Sequence, residues 1–372
     1  MDTAIFDALV GALGGDASRV STGDSDRELH SRDLSPHDPR LPDVVVYPAS
    51  TTEVSAVLAL AHEHRVPVTP FGAGSSLEGN AIPSERGISL DLTRMARVKS
   101  IRPDDLVAVV EAGVTRSALT AAAGEHGLWF PVDPGADATL GGMAATNAAG
   151  TTSVRFGKMR NQVLALEAVL AGGRVIRTGT IAAKTSAGYD LNALLVGSEG
   201  TLAVITELTL RLQGIPEHTV AARMSFPDLE SACSVAAAAV ATGASVQRLE
   251  LLDAGTIAIV NAYQGTAYPE TPCLFVEAAG SKAAAIEDLA VVVALGRELG
   301  ATDVRRGRSR RARALWKARH SVAYASTAAS PGRRHRSTDT AVPVSGARGP
   351  RCLRPGGARA RRDQRRNRRS RG

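Results

Sequence analysis

Three segments pair glycines with small side chains at spacings that suit an extended anionic ligand. The first is Gly72-Ala73-Gly74-Ser75-Ser76-Leu-Glu-Gly79-Asn80, directly after the run Val66–Phe71. At the end of a strand, such residues let backbone N–H groups approach phosphate oxygens closely. The second runs from Asp133 to Thr151 and has few large side chains. It reads either as a tightly packed helix and loop or as backbone moulded around a flat cofactor. The third, Gly188–Leu202, contains Gly197 and Gly200 and opens into the apolar run Leu202–Leu212. Each is weak alone, whereas the ordered trio is a strong pattern. Two familiar phosphate motifs are excluded. A dinucleotide fingerprint needs glycine where Leu77 stands, and a P-loop needs lysine where Asn80 stands. His62, His64 and His126 fall on predicted helices and read as surface or packing residues. Cys233, Cys273 and Cys352 form no CxxC pair, which excludes a disulfide framework, a cysteine zinc module and an iron–sulfur cluster.

The elements that must position these segments follow from periodicity. Ile5, Phe6, Leu9, Val10 and Leu13 have helical spacing. A polar stretch follows to about Pro42. A strand over Val44–Tyr47 precedes Ser50-Thr-Thr-Glu53, a capping box that opens a helix. Val54, Val57, Leu58 and Ala61 give that helix an apolar face. With the strand Val66–Phe71 this is a βαβ unit, hence parallel strands joined by a right-handed crossover. Further strands are predicted at Ile88–Leu92, Val107–Glu111, Ala165–Leu170, Arg174–Thr178 and Leu202–Leu212. Beyond residue 215 strands alternate with helices: Val220–Phe226, a helix from Asp228 to about Thr242, Val246–Leu251, a short helix, Cys273–Ala278, a long helix ending at Gly300, and Asp303–Arg306. That order predicts a small ferredoxin-like α+β sandwich. At roughly 150 residues per domain, the 372 residues suit two domains.

The net charge of +7 is misleading, because residues 346–372 hold 11 Arg and one acid. The preceding 345 residues carry a net −3. The folded body therefore offers no case for specific nucleic-acid binding, and polyanion binding would rest on the tail. No apolar run approaches the about 20 residues of a membrane span, and the acidic start does not suit a signal peptide. A cytoplasmic location is expected, with peripheral membrane association as an option.

The runs PFGAGSSLEGN (70–80), GLWFPVDPGADATLGGMAATNAAGTTSVRFGKMR (127–160), KTSAGYDLNALLVGSEGTLAVITELTLRL (184–212), LWKARH (315–320) and STDTAVPVS (337–345) resemble the FAD-linked oxidases of the vanillyl-alcohol oxidase/para-cresol methylhydroxylase family. Within it they are most similar to the cytochrome-type D-lactate dehydrogenases. The resemblance implies an α+β chain. Its parts are an N-terminal helical arm (1–38), a PCMH-type FAD-binding domain of two α/β subdomains (39–214) and an incomplete ferredoxin-like substrate, or cap, domain (215–345). It implies that Pro70, Gly72, Ala73, Gly74, Ser75, Ser76 and Gly79 cradle the FAD diphosphate. Pro134, Gly135, Thr139, Gly141, Gly142, Asn147, Gly150 and Thr151 would line the flavin and its ribityl chain, and Glu199, Gly200 and Ile205 the adenine half. The first loop holds Ser75 and Ser76 and no histidine, so FAD is expected to be noncovalent. Arg319 matches the position that clamps the substrate carboxylate, for which a planar guanidinium fork is suited; otherwise it is one surface arginine among many between Arg305 and Arg319. The implied activity is oxidation of a D-2-hydroxy acid, D-lactate first, by hydride transfer to flavin N5, with electrons passed to a cytochrome or quinone.

The resemblance stops after Ser345. Family members continue with a His-Gly-Asp-Gly-Asn-x-His type motif and a Glu-His pair that supply metal ligands and the general base; neither follows here. No metal site is therefore expected. Residues 346–372 are dominated by Arg, Gly, Pro and Ala, residues with GC-rich codons, as a frameshift would produce. The tail is expected to be disordered and the chain catalytically impaired. The alternatives are a non-catalytic FAD-binding remnant and a polyanion binder acting through the tail.

Overall fold

The computed structural model describes residues 2–182, 185–186, 188–308, 316 and 322–329. Helix α1 (Thr3–Ala12), strand β1 (Val20–Ser21), helix α2 (Asp24–Leu29), strand β2 (Val44–Val46), helix α3 (Thr51–Glu63), and strands β3 (Val68–Phe71) and β4 (Ile88–Asp91) form the first lobe. Its sheet has the order β1-β2-β4-β3, with β2 and β3 each parallel to β4 and β1 antiparallel to β2. The strands joined by α3 are parallel, as predicted, but β4 lies between them. All four residues of β4 are buried, as a central strand requires. Pro70 is tolerated because β3 is an edge strand.

Ser50 caps α3, its hydroxyl accepting from the Glu53 N–H at 3.3 Å. The return bond of the predicted capping box goes elsewhere. The Glu53 carboxylate accepts from Ala49 N–H at 2.7 Å and is gripped by both terminal nitrogens of Arg19 at 2.7 and 2.9 Å. Residues 2–38 pack into this lobe, since Leu9 and Leu13 are fully buried and β1 extends the sheet.

The second lobe comprises β5 (Val98–Arg102), β6 (Val107–Glu111), α4 (Arg116–Gly124), β7 (Leu128–Trp129), α5 (Leu140–Ala145), α6 (Ser153–Phe156), α7 (Met159–Gln162), β8 (Val163–Leu170), β9 (Val175–Gly179), α8 (Leu191–Leu195) and β10 (Ala203–Arg211). Its antiparallel sheet has the order β5-β6-β10-β8-β9. β5 escaped the sequence reading because Val98-Lys-Ser-Ile-Arg is a half-exposed edge strand. The two lobes share one core that runs from Leu9 and Leu90 to Leu208 and Leu210.

Strand β11 (Gln213–Gly214) pairs with β7 and leads to β12 (His218–Ser225), α9 (Leu229–Ala241), β13 (Val246–Leu252), α10 (Ala254–Gln264), β14 (Cys273–Gly280), α11 (Lys282–Glu298), β15 (Asp303–Arg308) and α12 (Val322–Ala329). The order β13-β14-β12-β15, all antiparallel, is the ferredoxin-like arrangement, with α10 inserted between its middle strands. Helices α9 and α11 cover one face through Ala222, Met224, Val276 and Val292. The opposite face carries Phe275 and Glu277, under Trp316.

The buried glutamates of the two domains are perturbed in opposite directions. Burial alone would raise Glu111 and Glu167. Hydrogen bonds from Arg97 to the first, and from Thr51 and Arg177 to the second, more than offset it, and both sit below the usual carboxylate range. In the C-terminal domain burial pushes Glu277 up, against the opposing pull of Arg248, Trp316 and Gln247. Glu111 and Glu167 thus contribute stability above the ordinary carboxylate pKa that is lost as pH falls through their lowered values. The contribution of Glu277 is complete below the ordinary value and lost as pH rises through its raised one. Acidification from neutrality to about pH 3 is expected to unfold the N-terminal domain, reported by Trp129, before the C-terminal one, reported by Trp316. Fluorescence of the single-tryptophan variants Trp129→Phe and Trp316→Phe would check this. Coincident transitions would show that these carboxylates do not set the order.

Candidate cofactor and active site

The three glycine-rich segments meet. A Cβ on Gly72 would stand 2.4 Å from the Thr139 hydroxyl, so the first segment lies against the second and a side chain there would have to displace that hydroxyl. Gly141 N–H donates to the Ala112 carbonyl at 2.8 Å, and a Cβ there would strike Ala112 at 2.6 Å. This holds the start of α5 against the end of β6. The third segment docks on the second through Gly197 N–H to Ala144 O at 3.0 Å and Glu199 N–H to Ala145 O at 2.9 Å. It returns to the first at Gly200, where a Cβ would lie 3.0 Å from the Pro70 ring. Asn147 and Glu199 both adopt left-handed backbone, with φ of 50° and 53°. The Asn147 carboxamide oxygen accepts from Arg160 N–H at 3.1 Å.

Pro70, Gly79, Glu199 and Gly200 share one cleft of about 610 Å³ with His37, Arg40 and Asn80. Ala73, Gly74, Ser75 and Ser76 form the turn above β3, where the Ser76 hydroxyl bonds the Asn80 side chain. Pro134, Gly135, Gly150 and Thr151 lie at the other end, beside Asp133. Gly142 is exposed beside Thr139. The Ile205 side chain is buried in the core cluster that also holds Leu140 and Met143 of the second segment. Arg319 and the tail 346–372 lie outside the described residues.

These residues fit FAD. Among the described residues none accepts a hydrogen bond from the backbone amides of Gly72, Ala73, Gly74 or Ser75, and φ reaches +62° at Gly74. Four free amides in one turn make an anion cradle. The Thr151 hydroxyl is buried and has no hydrogen-bond partner among the described residues, as suits a group that bonds a polar ligand. Among the described residues no His, Cys, Asp and Glu side chains gather in a group of three or more that could hold a metal ion.

A polar array between the domains has no signature in local sequence. Asp133, beside the second segment, lies 3.8 Å from Arg116 and 3.6 Å from Arg248 on β13. The Arg248 guanidinium stacks over the Trp316 ring at 5.2 Å and lies 3.4 Å from Glu277. Trp316 donates its indole N–H to Glu277 at 2.6 Å, and Gln247 donates to the same carboxylate at 3.2 Å. Arg155 donates to the Ala279 carbonyl at 2.8 Å, so a second arginine fastens the C-terminal sheet to the N-terminal domain. The array places one guanidinium, that of Arg248, on the sheet face that carries Glu277 and beside Asp133 at the start of the second segment.

Comparison with known proteins adds to this geometry. Residues 42–179 match a family described as "FAD binding domain", and residues 215–349 match "FAD linked oxidases, C-terminal domain". The chain is 45% identical over 330 residues to a probable mitochondrial D-lactate dehydrogenase of Danio rerio, covering 88% of this chain and 66% of that one. It is 40% identical over 306 residues to the mitochondrial D-lactate dehydrogenase [cytochrome] of Arabidopsis thaliana, covering 82% and 54%. It is 49% identical over 190 residues to a D-lactate dehydrogenase of Archaeoglobus fulgidus, covering 51% and 43%. The chain thus spans from under half to about two thirds of these relatives' lengths. Among solved structures, p-cresol methylhydroxylase with substrate bound aligns at a TM-score of 0.72 and 19% identity over 86% of this chain and 68% of that one. An alkyldihydroxyacetonephosphate synthase aligns at 0.71 and 20% over 85% and 63%. These two show a shared fold. No helix among the described residues is long and apolar enough to cross a membrane.

Proposed function

Since the chain belongs to the FAD-linked oxidases, we propose that it oxidises a D-2-hydroxy acid, D-lactate first, to the 2-oxo acid. The observation that carries this reading is the meeting of three glycine-rich segments around a turn of free amides. Bound FAD supplies the acceptor for the hydride leaving Cα, while the hydroxyl proton passes to a base and the C–O single bond becomes a carbonyl. The amides of Gly72–Ser75 hold the diphosphate noncovalently. The Thr139 and Thr151 hydroxyls, both in the second segment, offer polar contacts to the flavin and ribityl chain. Arg319 holds the substrate carboxylate, and Arg248 adds positive charge on the sheet floor. Electrons leave to a cytochrome or quinone, in keeping with the Arabidopsis relative's name.

The test is anaerobic addition of D-lactate to the FAD-loaded chain. Slow loss of the flavin's visible absorbance with D-lactate and not L-lactate is the expected result, slow because neither of the family motifs that bear the base follows Ser345. FAD retained but bleached by no D-2-hydroxy acid would reduce the chain to a cofactor-binding protein. Arg319→Ala is expected to raise the D-lactate concentration needed by more than about tenfold at unchanged FAD content, since unpairing a desolvated charge typically costs about 2–5 kcal/mol.

A further inference from the structure

Behind the amide-bearing turn sits a buried histidine that neither the sequence reading nor the proposed chemistry uses. His30, just past α2, is fully buried. Its Nδ1 lies 2.7 Å from the Asp26 carbonyl, which can only accept, so Nδ1 donates. Its Nε2 lies 2.9 Å from one Asp91 carboxylate oxygen, and the other oxygen accepts from Thr93 N–H at 2.7 Å. Asp91 ends β4 and is the register partner of Phe71, which ends β3 immediately before Gly72. The His30 and Phe71 rings are 4.3 Å apart between centroids. A Cβ on Gly74 would come within 2.9 Å of the Phe71 ring. Asp91, His30, Phe71 and Gly74 thus form one unbroken stack beneath the turn.

The same N-terminal segment also grips the turn from its other side. Leu34 N–H donates to the Ser76 carbonyl at 2.9 Å, and the His37 ring would lie 2.5 Å from a Cβ on Gly79. The second carboxylate oxygen of Asp33 is buried without a hydrogen-bond partner. Tyr47 meets the His30 ring edge-on at 5.8 Å, with Arg94 over the Tyr47 ring at 5.4 Å. These residues lie partly outside the stretch that matches the FAD binding domain, which begins at residue 42.

We propose that residues 26–37 belong to the cofactor site. His30, locked between Asp26 and Asp91, is a positioning residue that fixes Phe71 and thereby the conformation in which Gly72–Ser75 present their amides. A turn held in that shape beforehand loses less conformational entropy when a diphosphate arrives. The proposal rests on the FAD reading of the turn, and its test separates the two.

Amide exchange of the full chain is measured with and without FAD, and FAD affinity is measured for the parent, His30→Ala and His30→Gln. Glutamine keeps a donor towards Asp91, and alanine keeps none. FAD is expected to slow exchange over residues 30–37 together with 72–80. His30→Ala should weaken FAD binding by about tenfold or more, as loss of both partners of a buried group warrants, and His30→Gln should recover most of it. A purely structural role would lower the melting temperature of the FAD-free protein and leave the affinity of its folded fraction at the parental value; that result overturns the proposal. So does protection by FAD confined to 72–80, which is read on the parent and decides the matter if His30→Ala fails to fold. A folded parent that takes up no FAD overturns the cofactor reading itself, and this inference with it.

Discussion

Gly74→Asp is expected to lower FAD affinity by more than about a hundredfold. Two effects add. Gly74 has φ of +62°, where a side chain costs roughly 1–2 kcal/mol, and its Cβ would press on the Phe71 ring. The larger effect is charge. A carboxylate about 5 Å from a diphosphate oxygen, at an effective dielectric of about 20, is repelled by roughly 3 kcal/mol for each unit of charge. Gly74→Ala carries the first cost alone and should weaken binding by about tenfold. Titration of the FAD-free variants followed by flavin fluorescence resolves the two. Equal affinities for the aspartate and alanine variants would mean that no diphosphate lies beside Gly74.

Gly150→Val is expected to destabilise the N-terminal domain by about 3 kcal/mol or more, at the upper end of overpacking costs. A Cβ on Gly150 would stand 1.8 Å from the Asp133 carbonyl oxygen and 2.3 Å from its carbon. Both obstacles are backbone, so no rotamer change relieves them, and the two strands of chain must part. The melting temperature should fall by about 6–12 °C. Because Asp133 faces Arg248 across the domain boundary, the displacement should also loosen the docking of the C-terminal sheet. A melting temperature within about one degree of the parent would show that these segments part without cost.

The C-terminal domain was legible because each strand and helix is punctuated. Asp228, Asp253 and Ser281 cap α9, α10 and α11, and Gly300, with φ of +96°, follows the last. The ferredoxin-like order came from that alternation. In the N-terminal domain local pattern reveals strand and direction but not lateral order, so the place of β4 between β2 and β3 had no sequence signature. The glycine-rich segments were legible because close backbone approach demands glycine at positions such as Gly141 and Gly150. The array of Arg116, Asp133, Arg248 and Glu277 was not, because ordinary charged residues far apart in sequence converge only through tertiary packing. His30 was missed for the same reason, since both its ring and its partner Asp91 are buried by elements that local pattern does not bring together.

Both N-terminal sheets are completed from the middle by the strand made last. β2 and β3 do not pair with each other, so each lacks its parallel neighbour until Ile88–Asp91 has left the ribosome. The hairpins β5-β6 and β8-β9 likewise stay separate until Ala203–Arg211 arrives between them. At synthesis rates of about 5–20 residues per second, the nascent chain carries open strand edges for several seconds in each lobe. Such edges template pairing with other chains. The topology therefore makes a growing chain most vulnerable to aggregation just before residues 91 and 211 emerge, and makes the holdase capacity around the ribosome a determinant of its yield.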